Sequence, residues 1–526
     1  MSLRSRLFAH SSLMTLIAIL IAVASCFWFV SDGNIHRTNV RQTIIAENPT
    51  PSINTLHVPK ISYPTPTPTP TPTAEPTAAT GTTQNTFVTR SGSSLLLNGQ
   101  PFRFSGADIY WLGLTDHPTT ANPISVMSGP SRSSQTPNSV DYPTQFQIKD
   151  ALQTAQTMGA TVIRSFAVES VGCSLCIEPN LGTFNNNAFN TIDYAIQQAR
   201  TYGIKLILPL VDNWWYYTGG KHTFTAWEND SNENDFYTNV TVIAQFEAYV
   251  SHILNHVNTY TGIAYKNDPT IMAWETGNEL SAPSSWVQSI TTYIKGIDQN
   301  HLVMDGNYEQ ADELANFLPD LNIKTVDIYT GHYYPPTISA LQTEVNQVTN
   351  AQKVFIVGEY DWNTTQGDSL SNFLSSISQS SVAGDMYWSL FPHDNNHGFV
   401  ANTEHFTLHY PGDTSDMQSR VSLLRTHAYR MQGLSVPTAT LPGIPYITEI
   451  NGNAVSWRGA FGADTYTVER STQGVNGPWT VICNRCATDL STPWSDTTQP
   501  SGAVAYRVRA YSVSGIQGPY SNIYAH

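Results

Sequence analysis

Charged side chains are scarce in this sequence of 526 residues, where they make up 12% of the total, about half the usual share. Positive charge is the scarcer sign, because 25 Lys and Arg stand against 40 Asp and Glu and give a net charge of −15. Such a sign repels phosphate backbones and anionic membrane surfaces, so we expect no nucleic-acid partner. The sequence also lacks a phosphate-binding loop and a dinucleotide-binding fingerprint. We therefore expect no cofactor and no metal.

Cysteine is rare too, with five in the whole chain. Cys26 lies near the N-terminus, and the other four form two short C-x-x-C pairs, Cys173/Cys176 and Cys483/Cys486. In an oxidising compartment such pairs predict local disulfides. A four-cysteine zinc site is the alternative, although its two halves would lie about 300 residues apart in different domains.

Aromatic residues are plentiful by contrast, at 11% of the chain, with 12 Trp and 26 Tyr. Flat rings with polar edges suit stacking against sugar faces, although core packing alone would account for about half of them. A neutral substrate fits this composition better than a nucleic acid does.

The N-terminus indicates the compartment. Arg4 and Arg6 precede an uncharged, mainly apolar run over residues 11–30, which is long enough to cross a bilayer. We therefore expect residues 1–32 to be a signal peptide or a membrane anchor, with lipidation of Cys26 as an alternative. The protein would then be secreted or held at the cell surface, and it would meet a membrane only through this segment.

Two folded units are expected after a Pro/Thr-rich linker at residues 33–84, which contains the repeat PTPTPTPTPT. Apolar strand-like runs alternate with helical stretches, such as 145–158 and 189–202, over residues 85–436. Eight strands with helices between them predict an α/β fold of the (β/α)8 TIM-barrel type. The eight runs are 102–109, 161–166, 205–211, 271–274, 302–305, 326–329, 354–357 and 385–389.

The second unit is predicted over residues 441–526, where apolar and polar residues alternate between turns. This pattern, with Trp457, Tyr466, Tyr506 and a closing GPYSN, resembles a fibronectin type III module. The resemblance implies a small all-β, immunoglobulin-like sandwich, and we expect it to be dispensable for chemistry because the candidate site lies outside it.

Two glutamates stand at the carboxyl ends of predicted strands, where TIM barrels carry their chemistry. The stretch TIMAWETGNEL puts Asn278 and Glu279 after the fourth run, and VFIVGEYDW puts Glu359 at the end of the seventh. A retaining glycosidase needs two carboxyl groups about 5 Å apart, one to protonate the leaving oxygen and one to attack. A carboxylate beside apolar residues is costly unless it is used or paired, so both are catalytic candidates.

At these positions the sequence resembles glycoside hydrolase family 5, a clan A family, over residues 87–431. The resemblance implies that Glu279 is the acid/base and Glu359 the nucleophile. Three further motifs carry it, VIRSF, GHYY and MYWSL, and they contain Arg164, His332, Tyr334 and Trp388.

The expected roles follow from the chemistry of these side chains. Arg164 and Tyr334 would hydrogen-bond Glu359 and keep it ionised. The pocket of Glu279 would instead raise its pKa, so that it holds a proton when substrate arrives. A structural ion pair is the alternative role for Arg164.

Three more residues complete the expected constellation. Asn278 would bind the sugar 2-hydroxyl, and His332 would orient the acid/base side chain. Trp388 would form the floor of the subsite that precedes the cleaved bond, with an ordinary barrel residue as the alternative.

Within the family, mannanases are similar through FSGADIYW, VDNWWYYTGG and the stretch TGIAYKNDPTIMAWE. This likeness implies an endo-acting retaining β-glycanase that hydrolyses β-1,4-mannosidic bonds in mannan, glucomannan or galactomannan. The sequence departs from the pattern where Asp108 replaces an expected Asn and where TGNEL surrounds the Asn-Glu pair. Further candidates for sugar contact are Trp111, Asn213, Trp214, Trp215 and Trp362, and loop packing is the alternative for Trp214, Trp215 and Trp362.

Two other functions stay open at this point. Another family 5 β-glycanase, such as a cellulase, differs only through the motifs just given, because discrimination at the sugar C2 rests on a few hydrogen bonds. A catalytically silent carbohydrate-binding protein is the second, since a fold does not guarantee a function. We expect a monomer whose partner is a β-mannan or a related plant polysaccharide.

Overall fold

The computed structural model describes residues 86–118, 123–128, 136–307, 317–402, 404–438 and 441–526. The predicted signal peptide or anchor, with Cys26, and the predicted linker lie outside these residues. Within them, no helix combines the length and the apolar character that a membrane span requires.

Two small antiparallel sheets lie outside the barrel. The first contains β1 (Val88–Ser91), β2 (Ser94–Leu97) and β3 (Gln100–Pro101), and the second pairs β5 (Ile124–Ser128) with β6 (Thr136–Val140). Val88 and Leu95 are buried in one apolar cluster with Phe104 and Val162, which begin barrel strands. The first sheet therefore closes the end of the barrel opposite the carboxyl ends of the strands.

Eight parallel strands close into the predicted barrel. Their residues are buried almost throughout, as expected for parallel strands covered on both faces. The strands are β4 (Phe104–Asp108), β7 (Val162–Arg164), β8 (Lys205–Pro209), β9 (Ile271–Glu275), β10 (Leu302–Met304), β11 (Ile328–Tyr333), β12 (Val354–Tyr360) and β13 (Gly384–Tyr387).

Nine α-helices are seen in the described ranges, and amphipathic faces with buried apolar residues hold the long ones against the sheet. The second begins three residues before the predicted start, because the Asn185 side chain accepts the Asn187 N–H and caps it. The helices are α1 (Gln145–Thr157), α2 (Asn186–Thr201), α3 (Lys221–Trp227), α4 (Val240–Asn255), α5 (Ser284–Ile297), α6 (Phe317–Asp320), α7 (Ile338–Asn350), α8 (Leu370–Gln379) and α9 (Ser415–Met431). Short 3-10 helices span Glu233–Tyr237, Tyr265–Asn267 and Asp489–Ser491.

The C-terminal unit is built from two antiparallel sheets, with strand orders β14-β15-β18 and β17-β16-β19-β20, and β21 pairs with β19. Trp457, Tyr466 and Tyr506 are buried in its apolar core. An all-β unit is therefore present, while its kinship with fibronectin type III stays a prediction. Its strands are β14 (Tyr446–Asn451), β15 (Ala454–Arg458), β16 (Thr465–Ser471), β17 (Thr480–Ala487), β18 (Trp494–Ser495), β19 (Ala505–Tyr511), β20 (Gln517–Tyr520) and β21 (Tyr524–Ala525).

A buried histidine joins the barrel to this sandwich. His393 follows β13, and its Nδ1 lies 2.8 Å from Asp150 Oδ2 on α1 while its Nε2 lies 3.2 Å from Asp489 Oδ2 in the sandwich. Burial disfavours the charged imidazole, but the two carboxylates outweigh that cost and raise the pKa of His393 to about 10. The histidine is therefore a cation that bridges two acids from different units.

Both predicted cysteine pairs form disulfides, Cys173–Cys176 and Cys483–Cys486. Since these sulfurs are bonded to one another, the alternative of a four-cysteine zinc site is excluded.

Candidate active site

Arg164, the last residue of β7, is fully buried and gathers carboxyl groups from other strands. Its Nη1 lies 2.7 Å from Glu359 Oε1 and 3.2 Å from Asp108 Oδ1. Its Nε and Nη2 bind both oxygens of Glu275, at 2.7 and 2.9 Å. The predicted contact with Glu359 is present, but the bidentate partner is Glu275, the last residue of β9, which was not predicted.

The segment after β9 is held in a conformation that residues with a Cβ seldom adopt. Glu279 has φ of 52°, in the left-handed region. Hydrogen bonds on either side maintain it, from Asn278 N to Val211 O at 2.7 Å and from Leu280 N to Gly306 O at 2.8 Å. Strain of this kind persists where the surroundings determine the backbone, and it is concentrated at functional sites.

The TGNEL departure has a steric explanation in this segment. A Cβ added to Gly306 would lie 1.7 Å from the Gly277 carbonyl oxygen, and one added to Gly277 would lie 2.6 Å from Val211 O. Glycine at position 277 therefore lets the chain after β9 approach the chain after β8, and glycine at position 306 lets the chain after β10 approach the chain after β9.

Asn278 is fixed by two side chains at the bottom of the site. Its Oδ1 accepts from Arg164 Nη2 at 2.8 Å, and its Nδ2 donates to Asp212 Oδ1 at 3.3 Å. Arg164 thus positions the residue before Glu279 as well as Glu359.

His332 lies between the two candidate glutamates. Its Nδ1 is 2.7 Å from Glu279 Oε1 and 3.5 Å from Glu359 Oε2. One carboxyl oxygen from each glutamate and a ring nitrogen of His332 all lie within 4.8 Å of one another. Burial lowers the pKa of His332, but the charges of Glu359 and Glu279 and the hydrogen bond to Glu279 reverse this and raise it.

Glu279 differs from its expected behaviour. Burial raises its pKa, but the hydrogen bonds from His332 and from Trp214 Nε1, which lies 2.5 Å from Oε2, outweigh burial and lower it. The expectation of a raised pKa is wrong, because both donors favour the ionised carboxylate. The contact with Trp214 was also not foreseen.

Tyr334 makes its predicted contact with Glu359, whereas the predicted subsite role of Trp388 stays a prediction. The Tyr334 hydroxyl donates to Glu359 Oε2 at 2.8 Å, so both oxygens of that carboxylate are engaged. Trp388 is half-buried and stacks on Tyr110, with ring centres 5.0 Å apart and an 8° angle between the planes. Its peptide bond to Ser389 is cis.

Trp111 and Trp362 were predicted to contact sugar, and their burial corrects this prediction. Trp111 is 2% exposed and its indole donates to Leu390 O at 3.1 Å, whereas Trp362 is 0% exposed and donates to Phe406 O at 2.8 Å. Buried rings do not present a face to a sugar, so both residues pack loops instead.

Of the three candidates that follow β8, one is buried and two are partly exposed. Trp215 is buried, stacks on His222 with ring centres 3.3 Å apart and donates to Glu233 Oε1 at 2.6 Å, so packing is its role too. Asn213 and Trp214 are partly exposed. Trp214 contacts Glu279, and the Asn213 backbone N–H donates to the carbonyl of Asn278, the residue before Glu279. These two stay available for contact with a sugar.

Besides Glu275 and the two candidate glutamates, three further buried acids surround the constellation. Burial, the largest cause, raises the pKa of Asp108, Glu169 and Asp212 well above the ordinary value. Asp108 was noted as a departure from the family pattern, whereas Glu169 and Asp212 were missed. Their signal was a carboxylate next to apolar residues at the end of a strand, the same signal that revealed Glu359.

A metal ion could in principle use Glu279, His332 and Glu359, whose ligand atoms form the closest such grouping in the described ranges. Here Arg164 already binds Glu359 and His332 binds Glu279. A divalent cation would compete with both of these positive charges, so the donor set fits proton transfer and nucleophilic attack better.

Comparison with known proteins agrees with this arrangement. A model of the family described as glycoside hydrolase family 5 β-mannosidase-like matches residues 85–360, which include both glutamates. Mannan endo-1,4-beta-mannosidase 7 of Arabidopsis thaliana is 30% identical over 276 residues, which are 47% of this chain and 58% of the relative. Mannan endo-1,4-beta-mannosidase 5 of Solanum lycopersicum is 28% identical over 318 residues, 55% of this chain and 68% of the relative. The chain thus spans little more than half the length of the Arabidopsis relative.

Solved structures give the same result for the fold. The endo-1,4-beta-mannanase of Rhizomucor miehei matches with a TM-score of 0.53 and 25% identity, and the match covers 66% of this chain and 100% of that one. The endo-beta-1,4-mannanase of Thermotoga petrophila matches with a TM-score of 0.52 and 20% identity, over 81% of this chain and 98% of that one. The second likeness shows the fold alone.

Proposed function

The chain belongs to the glycoside hydrolase family 5 β-mannosidase-like family, and on that premise we propose that it is an endo-acting, retaining mannanase. The observation that carries the proposal is the carboxyl pair of Glu279 and Glu359, with one oxygen of each within 4.8 Å of the other. Retaining glycosidases keep their carboxyl groups about 5–5.5 Å apart, whereas inverting enzymes leave about 6.5–9.5 Å for a water molecule.

In the proposed first step, Glu359 attacks the anomeric carbon and Glu279 protonates the departing glycosidic oxygen. Arg164 and Tyr334 each donate to one oxygen of Glu359, so the attacking carboxylate is fixed in orientation. A covalent glycosyl-enzyme results, and the bond to the leaving sugar breaks.

The acid proton reaches Glu279 through His332 in this proposal. The His332 pKa is raised and its Nδ1 lies 2.7 Å from Glu279 Oε1, so this pair shares a proton across one hydrogen bond. A lowered Glu279 pKa is then compatible with acid catalysis, because attack by Glu359 removes one of the negative charges that hold the proton on His332.

In the second step, Glu279 accepts a proton from water as the water attacks the glycosyl-enzyme. Glu279 passes this proton back to His332 across their hydrogen bond, so Glu279, Glu359 and His332 all return to their starting state. The product leaves with the configuration of the substrate. Asn278, held by Arg164 and Asp212, is proposed to bind the sugar 2-hydroxyl as positive charge develops on the ring.

The choice of mannan as the substrate rests on the relatives, which are named mannan endo-1,4-beta-mannosidases and are about 30% identical. Trp388, Trp214 and Asn213 are the partly exposed candidates that would contact sugar rings. We further propose that the enzyme acts outside the cell, where its two disulfides persist.

The test is reducing-sugar release from purified mannan, glucomannan, carboxymethylcellulose and xylan, with the anomeric configuration of the first product followed by NMR. We expect mannan and glucomannan to be cleaved and the β-configuration to be retained. Glu279→Gln and Glu359→Gln serve as matched controls that keep side-chain size. Cleavage of carboxymethylcellulose alone would make the protein a cellulase, and an inverted first product would reject double displacement.

A further inference from the structure

The outer face of the larger sandwich sheet carries a group of arginines that the proposed hydrolysis does not use. Along β19, Tyr506, Val508 and Ala510 face the core, so the alternate residues Arg507 and Arg509 face outward. Arg485 is exposed on the edge strand β17, which is separated from β19 by β16. In a chain with a net charge of −15, this clustering of positive charge is unusual.

Aromatic rings hold these arginines in place. The guanidinium carbon of Arg509 lies 3.4 Å from the centre of the Tyr520 ring, and that of Arg507 lies 3.8 Å from the same centre. The guanidinium carbon of Arg485 lies 5.0 Å from the centre of the Tyr511 ring. Cation–π contact fixes a guanidinium without neutralising it, so its N–H edges can still bind an acid.

Only part of this positive charge is balanced within the protein. Arg507 forms an ion pair with Glu469 at 2.5 Å, which explains it as a structural residue. In the described part of the chain, neither Arg485 nor Arg509 forms an ion pair with a carboxylate. The charge of Arg485 reaches Asp464 only at longer range, where it lowers the pKa that burial raises.

Strand register places the two unbalanced arginines in one row. Arg509 pairs with Thr467 on β16, and the Thr467 hydroxyl accepts the Arg485 backbone N–H at 3.1 Å. The two positions are thus separated by two strand spacings, about 10 Å. This distance suits successive carboxylates along an extended polymer better than one small anion.

The second disulfide belongs to the same feature. Cys483 and Cys486 enclose Arg485, whose φ of 54° is in the left-handed region. The Arg485 Nε also donates to Thr465 Oγ1 at 3.2 Å. A closed four-residue segment therefore presents this side chain from a fixed backbone, which reduces the entropy lost on binding.

We propose that this face, formed by Arg485, Arg509 and Tyr520, binds an anionic polysaccharide through its uronate carboxylates. The planar guanidinium group pairs with carboxylate in a bidentate manner. The sandwich would then hold the enzyme on a charged polymer while the barrel acts on a neutral one. The binding itself does not depend on the proposed hydrolysis.

The experiment uses affinity gel electrophoresis of the full chain in polygalacturonate, with the fully methyl-esterified polymer as the uncharged control. We expect retardation in polygalacturonate alone, weakening with salt. The double variant Arg485→Asn and Arg509→Gln should lower affinity about tenfold or more, since two charge-assisted contacts are lost. Asn suits position 485 because it tolerates the left-handed conformation.

The matched control is Arg430→Gln, which removes an exposed arginine from α9 on the barrel. Thermal unfolding of each variant shows that the fold is kept. Equal weakening by Arg430→Gln, or no retardation of the parent chain, would overturn the proposal. Arginine-dependent binding to phosphatidylglycerol vesicles without binding to polygalacturonate would also overturn it. If the parent chain does not hydrolyse mannan, the proposed function is rejected, while this binding result is unaffected.

Discussion

Two buried histidines of this protein lie between two acids each, and they differ in what surrounds them. His332 is 2.7 Å from Glu279 and 3.5 Å from Glu359, and His393 is 2.8 Å from Asp150 and 3.2 Å from Asp489. Neighbouring carboxylates raise both histidine pKa values. Geometry around the imidazole therefore does not separate a reactive site from a structural one.

The two sites differ in the solvent exposure of their acids and in the excess of negative over positive charge around the imidazole. The Glu279 side chain is 13% exposed, whereas those of Asp150 and Asp489 are 4% exposed. Around His332 there are also Arg164 and two more acids, Asp108 and Glu275, so protons and charges can redistribute when substrate binds. Around His393 one cation balances two acids in a closed space, which favours stability over chemistry.

Removing Glu359, the proposed nucleophile, should give the largest effect on the site around His332. Glu359→Ala should lower kcat by about 10⁴-fold or more on every substrate, because no attacking group is left. Added azide should restore cleavage with inverted configuration, as measured by NMR of the product. Azide products of retained configuration from this variant would assign the nucleophile elsewhere.

Glu279→Ala should separate the two steps. Cleavage of mannan should fall roughly 10²- to 10⁴-fold because the leaving oxygen is no longer protonated. An aryl mannoside with a good leaving group should still form the glycosyl-enzyme, visible as a burst of the released phenol. Azide should then accelerate turnover and give a product with retained configuration, whereas equal loss on both substrates would contradict the acid role.

Alanine substitution of each histidine in turn tests the comparison directly. His393→Ala should lower the free energy of unfolding by about 3–5 kcal/mol, because two buried acids lose their shared cation. His332→Ala should instead lower kcat strongly, and it should lower the free energy of unfolding less than His393→Ala does. Chemical denaturation and kinetics on soluble mannooligosaccharides measure both quantities, and a larger stability loss for His332→Ala would reverse the assignment.

The pH dependence of stability should differ in the same sense. The folded pKa of His393 is about 10, above its ordinary value of 6.5. Its contribution is fully present below pH 6.5 and is lost progressively as the pH rises toward 10, because over this range the folded state holds a proton that the unfolded state has released. Subtracting the His393→Ala unfolding curve from that of the parent isolates this slope, and a flat difference would contradict it.

Asp108→Asn should have the smallest effect. Burial, together with the charges of Glu359 and Glu275, raises the pKa of Asp108 against the opposing effect of Arg164, so the folded state keeps a proton that Asn replaces with an N–H. An acid with a raised folded pKa loses stability as the pH rises above its unfolded pKa near 4, so the variant should gain about 1–2 kcal/mol at neutral pH. The groups facing Asp108 are Arg164, Glu275, Glu359, Tyr334, Tyr360 and Tyr387.

The activity of the same variant refines this result. Its kcat at acidic pH should stay within about threefold of the parent, and its alkaline limb should move to higher pH because one ionising group beside Glu359 is gone. Asp108→Ala is the control that removes the Arg164 contact altogether. An unchanged alkaline limb in Asp108→Asn would show that this carboxyl does not ionise in the working range.

The sequence by itself determined the eight strands, their order and the position of Glu279 and Glu359, because apolar runs and the residues that end them are local properties. It also indicated both disulfides, since their cysteines are three residues apart. The motif resemblance supplied Arg164, His332, Tyr334 and Trp388, and the structure brings the first three into contact with the glutamates.

Only the tertiary structure decided the protonation of the site and the fate of the tryptophans. The lowered pKa of Glu279 depends on donors 53 and 65 residues away in the chain, His332 and Trp214. Trp111 and Trp362 are buried by loops whose approach no local pattern specifies. His393 gains its charge from Asp150 and Asp489, 243 and 96 residues distant. Burial and the distances between charges are properties of the folded chain, and they set these energies.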